Sequence, residues 1–410
     1  MSVIKPFPCV RPAQELAASI AALPYDVYNR AEAKAKVQGD DLTFLRIDRP
    51  ETQFPDDQDM YAPCVYEKAA QMLAADIAAG KYVRDNERKY YVYELTMDGR
   101  AQTGIVAAAA VDDYLSGTIK RHENTLAAKE QDRIRHIDCL RAQTGPIFLA
   151  YRADAVITKA VQKAKEQAPL YDFVSDDGIG HRVFMIEDPE QIRIIEEAFA
   201  GIDSIYIADG HHRAASAVKV ALKRRAEQPD YTGAEEFNYF LSVLFPDEEL
   251  KIMDYNRVVK DLNGLSAEGF LKKMEEIFDV TPLAGDPKPQ AKGTFSMFLE
   301  GQWYQCIVRA EDRSEDPVEG LDVRILQNLL LAPVLGICDP KNDPRIDFVG
   351  GIRGLKELER RCQTDAKATF AMYPTDISEL LKVADAGLLM PPKSTWFEPK
   401  LRSGLFIHEF

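Results

Sequence analysis

Two short stretches hold residues able to act on a charged ligand. The first is Ala208-Asp209-Gly210-His211-His212-Arg213. A glycine permits a tight or left-handed turn and close approach of the backbone to a ligand. The first N–H groups of a helix point outward and carry partial positive charge. With His211, His212 and Arg213 as further donors, the stretch reads as a phosphate or other anion site. The arginine is always charged and can fork onto two oxygens. The second stretch is Ile119-Lys120-Arg121-His122-Glu123-Asn124-Thr125. Arg121 adds a cation for phosphate. Glu123 is the candidate general base, with His122 beside it in the catalytic set; Arg121 and His122 would keep it ionised if they sit close. Phosphoryl transfer also calls for a metal, and Asp209 or Glu123 is the carboxylate to hold Mg²⁺. The plainer alternatives are an Asp-Gly turn in which Asp209 caps a helix, and a surface ion-pair cluster at Arg121-His122-Glu123.

Three other stretches are ligand-friendly. Lys393-Ser394-Thr395, between Pro392 and Trp396, suits an anion, or is a structural loop. Tyr25 and Asp26 suit a small polar substrate, or Tyr25 covers a core edge. Asn256 and Arg257 lie in a strand-like run, where Arg257 suits a substrate carboxylate or a structural salt bridge. A zinc hydrolase is the metal-centred alternative. His211 and His212 are adjacent rather than at the i,i+4 spacing of helical zinc ligands, so His122 and His181 would have to join them through the fold. No GxSxG, GxxxxGK[ST] or GxGxxG pattern is present, which removes the commonest hydrolase elbow, P-loop and dinucleotide readings.

These residues need a scaffold. Ser204-Ile205-Tyr206-Ile207 reads as a buried strand, and the run from Ala214 to Arg224 as a helix, which puts the first stretch on a strand-to-helix turn. The second stretch follows a loop at Ser116-Gly117 and precedes a charged helix starting near Ala127. Such strand-to-helix junctions are where α/β folds place ligand groups. Tyr90–Leu95 and Gln102–Val111 predict a hairpin turned at Asp98-Gly99. Phe44-Leu45-Arg46-Ile47 predicts a strand, Tyr171 to His181 a loop, Pro189 to Ala200 a helix, and Leu321 to Leu335 the most apolar helix. The alternation gives a mixed α/β (α+β) protein with hairpins and mixed sheets.

The chain has 410 residues, enough for two or three domains. We place a first α/β domain at 1–248 and a second at 249–410, whose C-terminal Pro-Pro-Lys-Ser-Thr segment would close on the site. A net charge of -15 disfavours non-specific binding to nucleic acid or membranes. The six cysteines form no CxxC pair, no signal peptide is expected, and no run is long enough to span a membrane. A reducing cytoplasm is the expected compartment. The oligomeric state is not legible.

Five segments together resemble the bacterial and archaeal domain-of-unknown-function family 1015. They are Pro24-Tyr25-Asp26-Val27, Arg121 to Thr125, Asp209 to Arg213, Tyr255 to Val259 and Met390 to Phe397. The Asp209–Arg213 motif alone is similar to the nucleotide-phosphate motif of the ParB and sulfiredoxin superfamily, which includes kinases of free serine. That resemblance implies a nucleotide-binding core in which the turn holds donor phosphates and a carboxylate from elsewhere acts on the serine hydroxyl. The catalytic cysteine of sulfiredoxin has no match here. The expected function is a phosphotransferase acting on a small hydroxyl metabolite, free L-serine first, with ATP, ADP or pyrophosphate as donor. A non-catalytic regulator that binds a nucleotide or phosphometabolite is the alternative.

Overall fold

Ile205–Asp209 is a strand and His211–Glu227 a helix, as the residue pattern predicts. The computed structural model describes all 410 residues and separates into two units, Met1–Leu250 with Pro399–Phe410, and Lys251–Glu398. Both are mixed α/β.

In the first unit nine strands form one sheet. Its path runs Ile119–Lys120, Ile205–Asp209, Ile147–Tyr151, Tyr239–Pro246, Arg100–Ala110, Tyr90–Met97, Gly180–Ile186 and Tyr171–Val174, with Ile4–Lys5 added beside Arg100–Ala110. Two neighbour pairs are parallel, Ile119–Lys120 with Ile205–Asp209 and Ile147–Tyr151 with Tyr239–Pro246; the others are antiparallel. The central hairpin turns at Asp98 and Gly99, with φ of 52° and 77°, the left-handed pair that matches strand twist. Ala107, Ala108 and Ala109 are fully buried, as expected of a strand covered on both faces. On one face lie Ile157, Val161, Ile195 and Phe199 from the helices Ala155–Lys165 and Pro189–Ala200. Ala214, Ala217, Val218 and Ala221 bring the helix after the turn onto the same core.

The second unit is built on a six-stranded antiparallel sheet. Its order is Asp279–Pro282, Gln302–Ile307, Thr294–Leu299, Ala368–Met372, Tyr255–Val259, Ile346–Gly350. Phe270 and Met274 of the helix Ala267–Ile277 pack on it, and Ser266 caps that helix by accepting from the Gly269 N–H. A two-stranded ribbon pairs Ile252 with Phe397 and Met253 with Trp396.

Three expectations are corrected. Phe44-Leu45-Arg46-Ile47 is not a strand: Leu45–Asp48 is a helical turn, with Arg46 paired to Asp76 inside the unit. A short apolar run does not by itself separate strand from buried helix. Tyr171 to His181 is not all loop: Tyr171–Val174 and Gly180–Ile186 pair across it as a hairpin. Pro399–Phe410, placed above with the second domain, belongs to the first unit. There Cys9 and Gln143 both pair with His408, and Phe406 is buried against Tyr91 and Tyr93. The apolar helix of the second unit is Asp322–Leu326, continued by a π-helical turn at Gln327–Leu331. No helix is long and apolar enough to cross a membrane.

Candidate functional site

The two chemical stretches leave neighbouring parallel strands. Ile205 pairs with Ile119 and Tyr206 with Lys120, so the loops beginning at Gly210 and Arg121 emerge at the same end of the sheet. The register slips between Ile207 and Asp209, and such an irregularity re-aims the residue that follows it. Gly210 has φ 92° and ψ 30°. A Cβ there would stand 3.0 Å from Nε and Nη2 of Arg213, so the position is closed to other residues by backbone and by space. Arg213 Nη1 donates to the Pro146 carbonyl at 2.5 Å, which fastens the guanidinium beside the turn.

Asp209 does not cap the helix. Its Oδ1 accepts from the Gly210 N–H at 2.8 Å and its Oδ2 from Lys400 Nζ at 3.0 Å, and no side chain caps the 17-residue helix that follows. Burial would raise the carboxyl's pKa, but the charges of Lys400 and Arg213 outweigh it and hold the group well below the usual carboxylate range.

The histidines divide into two kinds. His122 and His211 are 2% and 5% exposed, with rings 4.4 Å apart, edge to face. Burial pushes His122 down to about 4 against the pull of the Asp209 charge. Burial, followed by His122, drives His211 well below its ordinary value. Both are neutral near pH 7, so they do not supply the positive charge expected of them, and His122 does not help to ionise Glu123. His122 Nδ1 and His211 Nε2 are nevertheless sealed inside without a protein partner. Buried polar atoms of this kind call for a ligand or a water. His211 Nδ1 lies 3.7 Å from Glu123 Oε2, and the Glu123 side chain keeps 58% of its exposure. His212 serves the backbone instead, where its Nε2 accepts from the Leu126 N–H at 3.0 Å, at the start of the helix Ala127–Leu140. Arg121 sits over Tyr114, 5.0 Å from the ring centre, with Nη1 3.4 Å from the hydroxyl.

Tyr25 and Arg133 stand between two cavities. The guanidinium carbon of Arg133 lies 4.0 Å over the Tyr25 ring. On one side is a space of about 30 Å³ lined also by Asp48, His136, Thr144 and Arg213, room for about one water. On the other is a cleft of about 210 Å³ lined by Asp26, Tyr61, Tyr66, Lys129 and Asp132. Its buried charges are paired, Arg133 with Asp132 at 2.8 Å and Arg49 with Glu51 at 2.6 Å, and Tyr66 donates to Asp132 at 2.8 Å. Burial pushes the Tyr25 phenol up to about 12. A larger cavity, of about 720 Å³, runs along the helix Arg30–Val37 and includes none of the turn's residues.

In the second unit the Tyr255-Asn256-Arg257 and Lys393-Ser394-Thr395 motifs come together, with Lys393 Nζ 5.5 Å from the Tyr255 ring. Asn256 is structural rather than substrate-facing. It is buried, accepts from the Met372 N–H at 2.9 Å and donates to Asp254 at 2.6 Å. Ser394 is likewise spent on its own loop, donating to the Pro391 carbonyl at 2.6 Å while its carbonyl accepts from Thr375 at 3.0 Å. Thr395 is half-buried in the same loop. Arg257, 3% exposed, forms no salt bridge; its one acceptor is the Tyr255 carbonyl.

No three His, Cys, Asp or Glu side chains are arranged to hold a metal ion. Of the two carboxylates expected to hold Mg²⁺, Asp209 accepts from the Gly210 N–H and from Lys400, and Glu123 lies beside His211. The zinc set is not assembled either, because His181 bonds Tyr93 at 2.8 Å and Ser175 at 3.0 Å. The sequence reading missed Lys400 and Arg133. Lys400 lies 191 residues from its partner Asp209, and Arg133 is one charge among many in its helix.

Residues 4–324 match the family described as Protein of unknown function (DUF1015). Among solved structures the chain is similar to a free serine kinase in complex with AMP, at 16% identity and a TM-score of 0.34 over 73% of this chain and 91% of that one. It is similar to a conserved hypothetical protein from Pyrococcus furiosus, at 16% identity and a TM-score of 0.34 over 74% and 94%. It is also similar to SbnI with a C-terminal truncation from Staphylococcus aureus, at 11% identity and a TM-score of 0.37 over 73% and 87%. No curated protein matches the chain.

Proposed function

The chain belongs to the DUF1015 family, and from that premise we propose that it holds a phosphate-bearing donor at the Asp209–Arg213 turn and transfers a phosphoryl group to a small hydroxyl metabolite, free L-serine first. The observation that carries the reading is the uncapped start of a 17-residue helix after left-handed Gly210, with Arg213 fastened beside it. Unsatisfied helix N–H groups and a guanidinium fork suit phosphate oxygens. The orphaned nitrogens of His122 and His211 lie in the same strand-end neighbourhood and add neutral donors or acceptors. ATP, ADP and pyrophosphate all carry the required group.

In the transfer, the serine hydroxyl oxygen bonds to the terminal phosphorus as the bond to the leaving phosphate oxygen breaks. The hydroxyl proton passes to a carboxylate, for which Glu123 is the proposed base. Tyr25 and Asp26 line the 210 Å³ cleft, which is large enough for a small amino acid and is the proposed acceptor site.

Incubation of the protein with L-serine and a panel of ATP, ADP and pyrophosphate, followed by mass spectrometry, tests the proposal. Phosphoserine from one donor supports it; its absence with all donors rejects serine transfer. The second reading, a regulator that binds without turnover, draws on the exposure of Glu123, which is unlike a desolvated base. Donor binding by calorimetry with no transfer to any of a set of small alcohols would favour it.

A further inference from the structure

Five arginines of this chain are buried: Arg46, Arg49, Arg133, Arg257 and Arg402. Four have a carboxylate: Asp76, Glu51, Asp132 and Asp177 respectively. Arg257 has none. It lies in the strand Tyr255–Val259, opposite Phe348 on one side and Phe370 on the other. Its guanidinium carbon is 5.4 Å over the Phe348 ring, and its one hydrogen bond runs from Nη1 to the Tyr255 carbonyl. Burial draws its pKa down to about 10, with only Tyr255 favouring the charge. A buried charge without an opposite partner is strongly unfavourable. Its Nε and Nη2 carry no hydrogen bond and are not among the fully sealed nitrogens of the chain.

A second cation stands at the same residue. Lys393 holds a left-handed backbone, φ 60°, which is unfavourable for a non-glycine residue, and its Nζ lies 5.5 Å from the Tyr255 ring. It is exposed and has no ion-pair partner. We infer that Arg257 and Lys393 form a binding site in the second unit for a phosphate dianion, either inorganic phosphate or the phosphate of a small monoester. Two positive charges match a phosphate, which carries about -1.5 to -2 at neutral pH, whereas a carboxylate would leave one cation uncompensated. The fork of Arg257 takes two oxygens and Lys393 acts as a point charge on a third. This site goes beyond the turn described above and does not rest on it.

The chain has two tryptophans, Trp303 and Trp396, and both belong to the second unit. The Trp396 ring is 5.1 Å from that of Tyr255, so its emission reports on this site and not on the turn. The full chain carrying Trp303→Phe is titrated with inorganic phosphate, then with a phosphate monoester and with acetate, at constant ionic strength, and calorimetry is run in parallel. Saturable binding of phosphate is expected, and little of acetate. Tighter binding of the monoester than of phosphate identifies a phosphorylated metabolite as the ligand; the reverse identifies the free ion. Arg257→Gln should weaken binding about tenfold or more, the worth of hydrogen bonds to a charged group. Lys393→Ala should weaken it about threefold or more, and Arg213→Ala should leave the Trp396 titration unchanged. If Arg257→Gln does not fold, exposed Lys393→Ala decides alone. No saturable phosphate binding by either method, acetate binding as tight as phosphate, or an undiminished titration in Lys393→Ala would overturn the site. Loss of donor binding at the turn with this titration intact would count against the proposed function alone.

Discussion

Asp209 shows how one residue can be spoken for from two directions. Its two oxygens hold the Gly210 N–H and the Lys400 ammonium, which leaves Glu123 as the carboxylate nearest the buried imidazole pair. If Glu123 is the base, Glu123→Gln keeps size and hydrogen bonding and removes proton acceptance. Turnover should then fall about 10²–10⁴-fold, the usual contribution of general-base catalysis, while donor binding stays near wild type. Steady-state kinetics with a parallel nucleotide titration measures both; full turnover in the variant would shift the role to Asp26 on the cleft. Gly210→Ala acts differently. The left-handed backbone becomes strained by about 1–2 kcal/mol, and the new methyl presses on Arg213 at 3.0 Å. Urea unfolding should show that loss together with weaker donor binding. A variant as stable as wild type would mean the turn relaxes at no cost.

At the scale of elements, what could be read from the sequence was what local pattern encodes. The Ile205–Asp209 strand, the helix after it and the Asp98-Gly99 hairpin follow from β-branched runs, helix formers and turn residues that need no distant partner. What could not be read depends on partners far along the chain. Leu45 to Asp48 is a helical turn whose Arg46 meets Asp76, and His212 serves the start of a helix 86 residues earlier. The tail returns to the first unit because Ile407–Glu409 is a strand between Cys9–Pro12 and Ala142–Gln143. Within the proposed site, residue types gave Asp209 to Arg213 and the strand-end placement of Glu123. They could not give the neutrality of His122 and His211, which comes from burial. The tail's anchor is Phe406, fully buried with its ring 5.4 Å from that of Tyr91 and 5.6 Å from that of Tyr93. Phe406→Ala should destabilise the first unit by about 3–5 kcal/mol, the usual cost of emptying a buried phenylalanine site. Because Lys400 lies upstream in the same tail, donor binding at the turn should weaken as well. Urea unfolding followed by tyrosine emission reads the first effect and calorimetry the second; a loss below about 1 kcal/mol, well under that usual cost, would mean the tail does not depend on this anchor.

Across the whole molecule, acid sensitivity follows from where the histidines lie. Five of the six, His122, His136, His181, His211 and His408, are buried, and burial lowers the pKa of every one. His122 and His136 fall to about 4 and His181 to about 3. In the unfolded chain each returns to about 6.5. Between about pH 6.5 and about 4 the unfolded chain therefore binds more protons than the folded one. The stability these groups contribute is fully present above about pH 6.5 and is lost as the pH falls through that window. One proton of difference is worth about 1.4 kcal/mol per pH unit. Three carboxyls oppose the trend, because burial raises Asp113, Glu196 and Asp322, the last to about 6. Five groups outweigh three, so the net slope keeps the sign of the histidines. The carboxylates held low by their partners, Asp209 and Glu236 among them, add to the loss only below about pH 4. Urea midpoints measured from about pH 7 to about pH 4.5 should fall steadily. His122→Phe, which keeps an aromatic ring and removes the titration, should flatten the slope near about pH 5 by about one proton. A midpoint that holds or rises on acidification would mean these imidazoles take up protons in the folded state, and the neutral pair beside the Gly210 turn would have to be reassigned as charged.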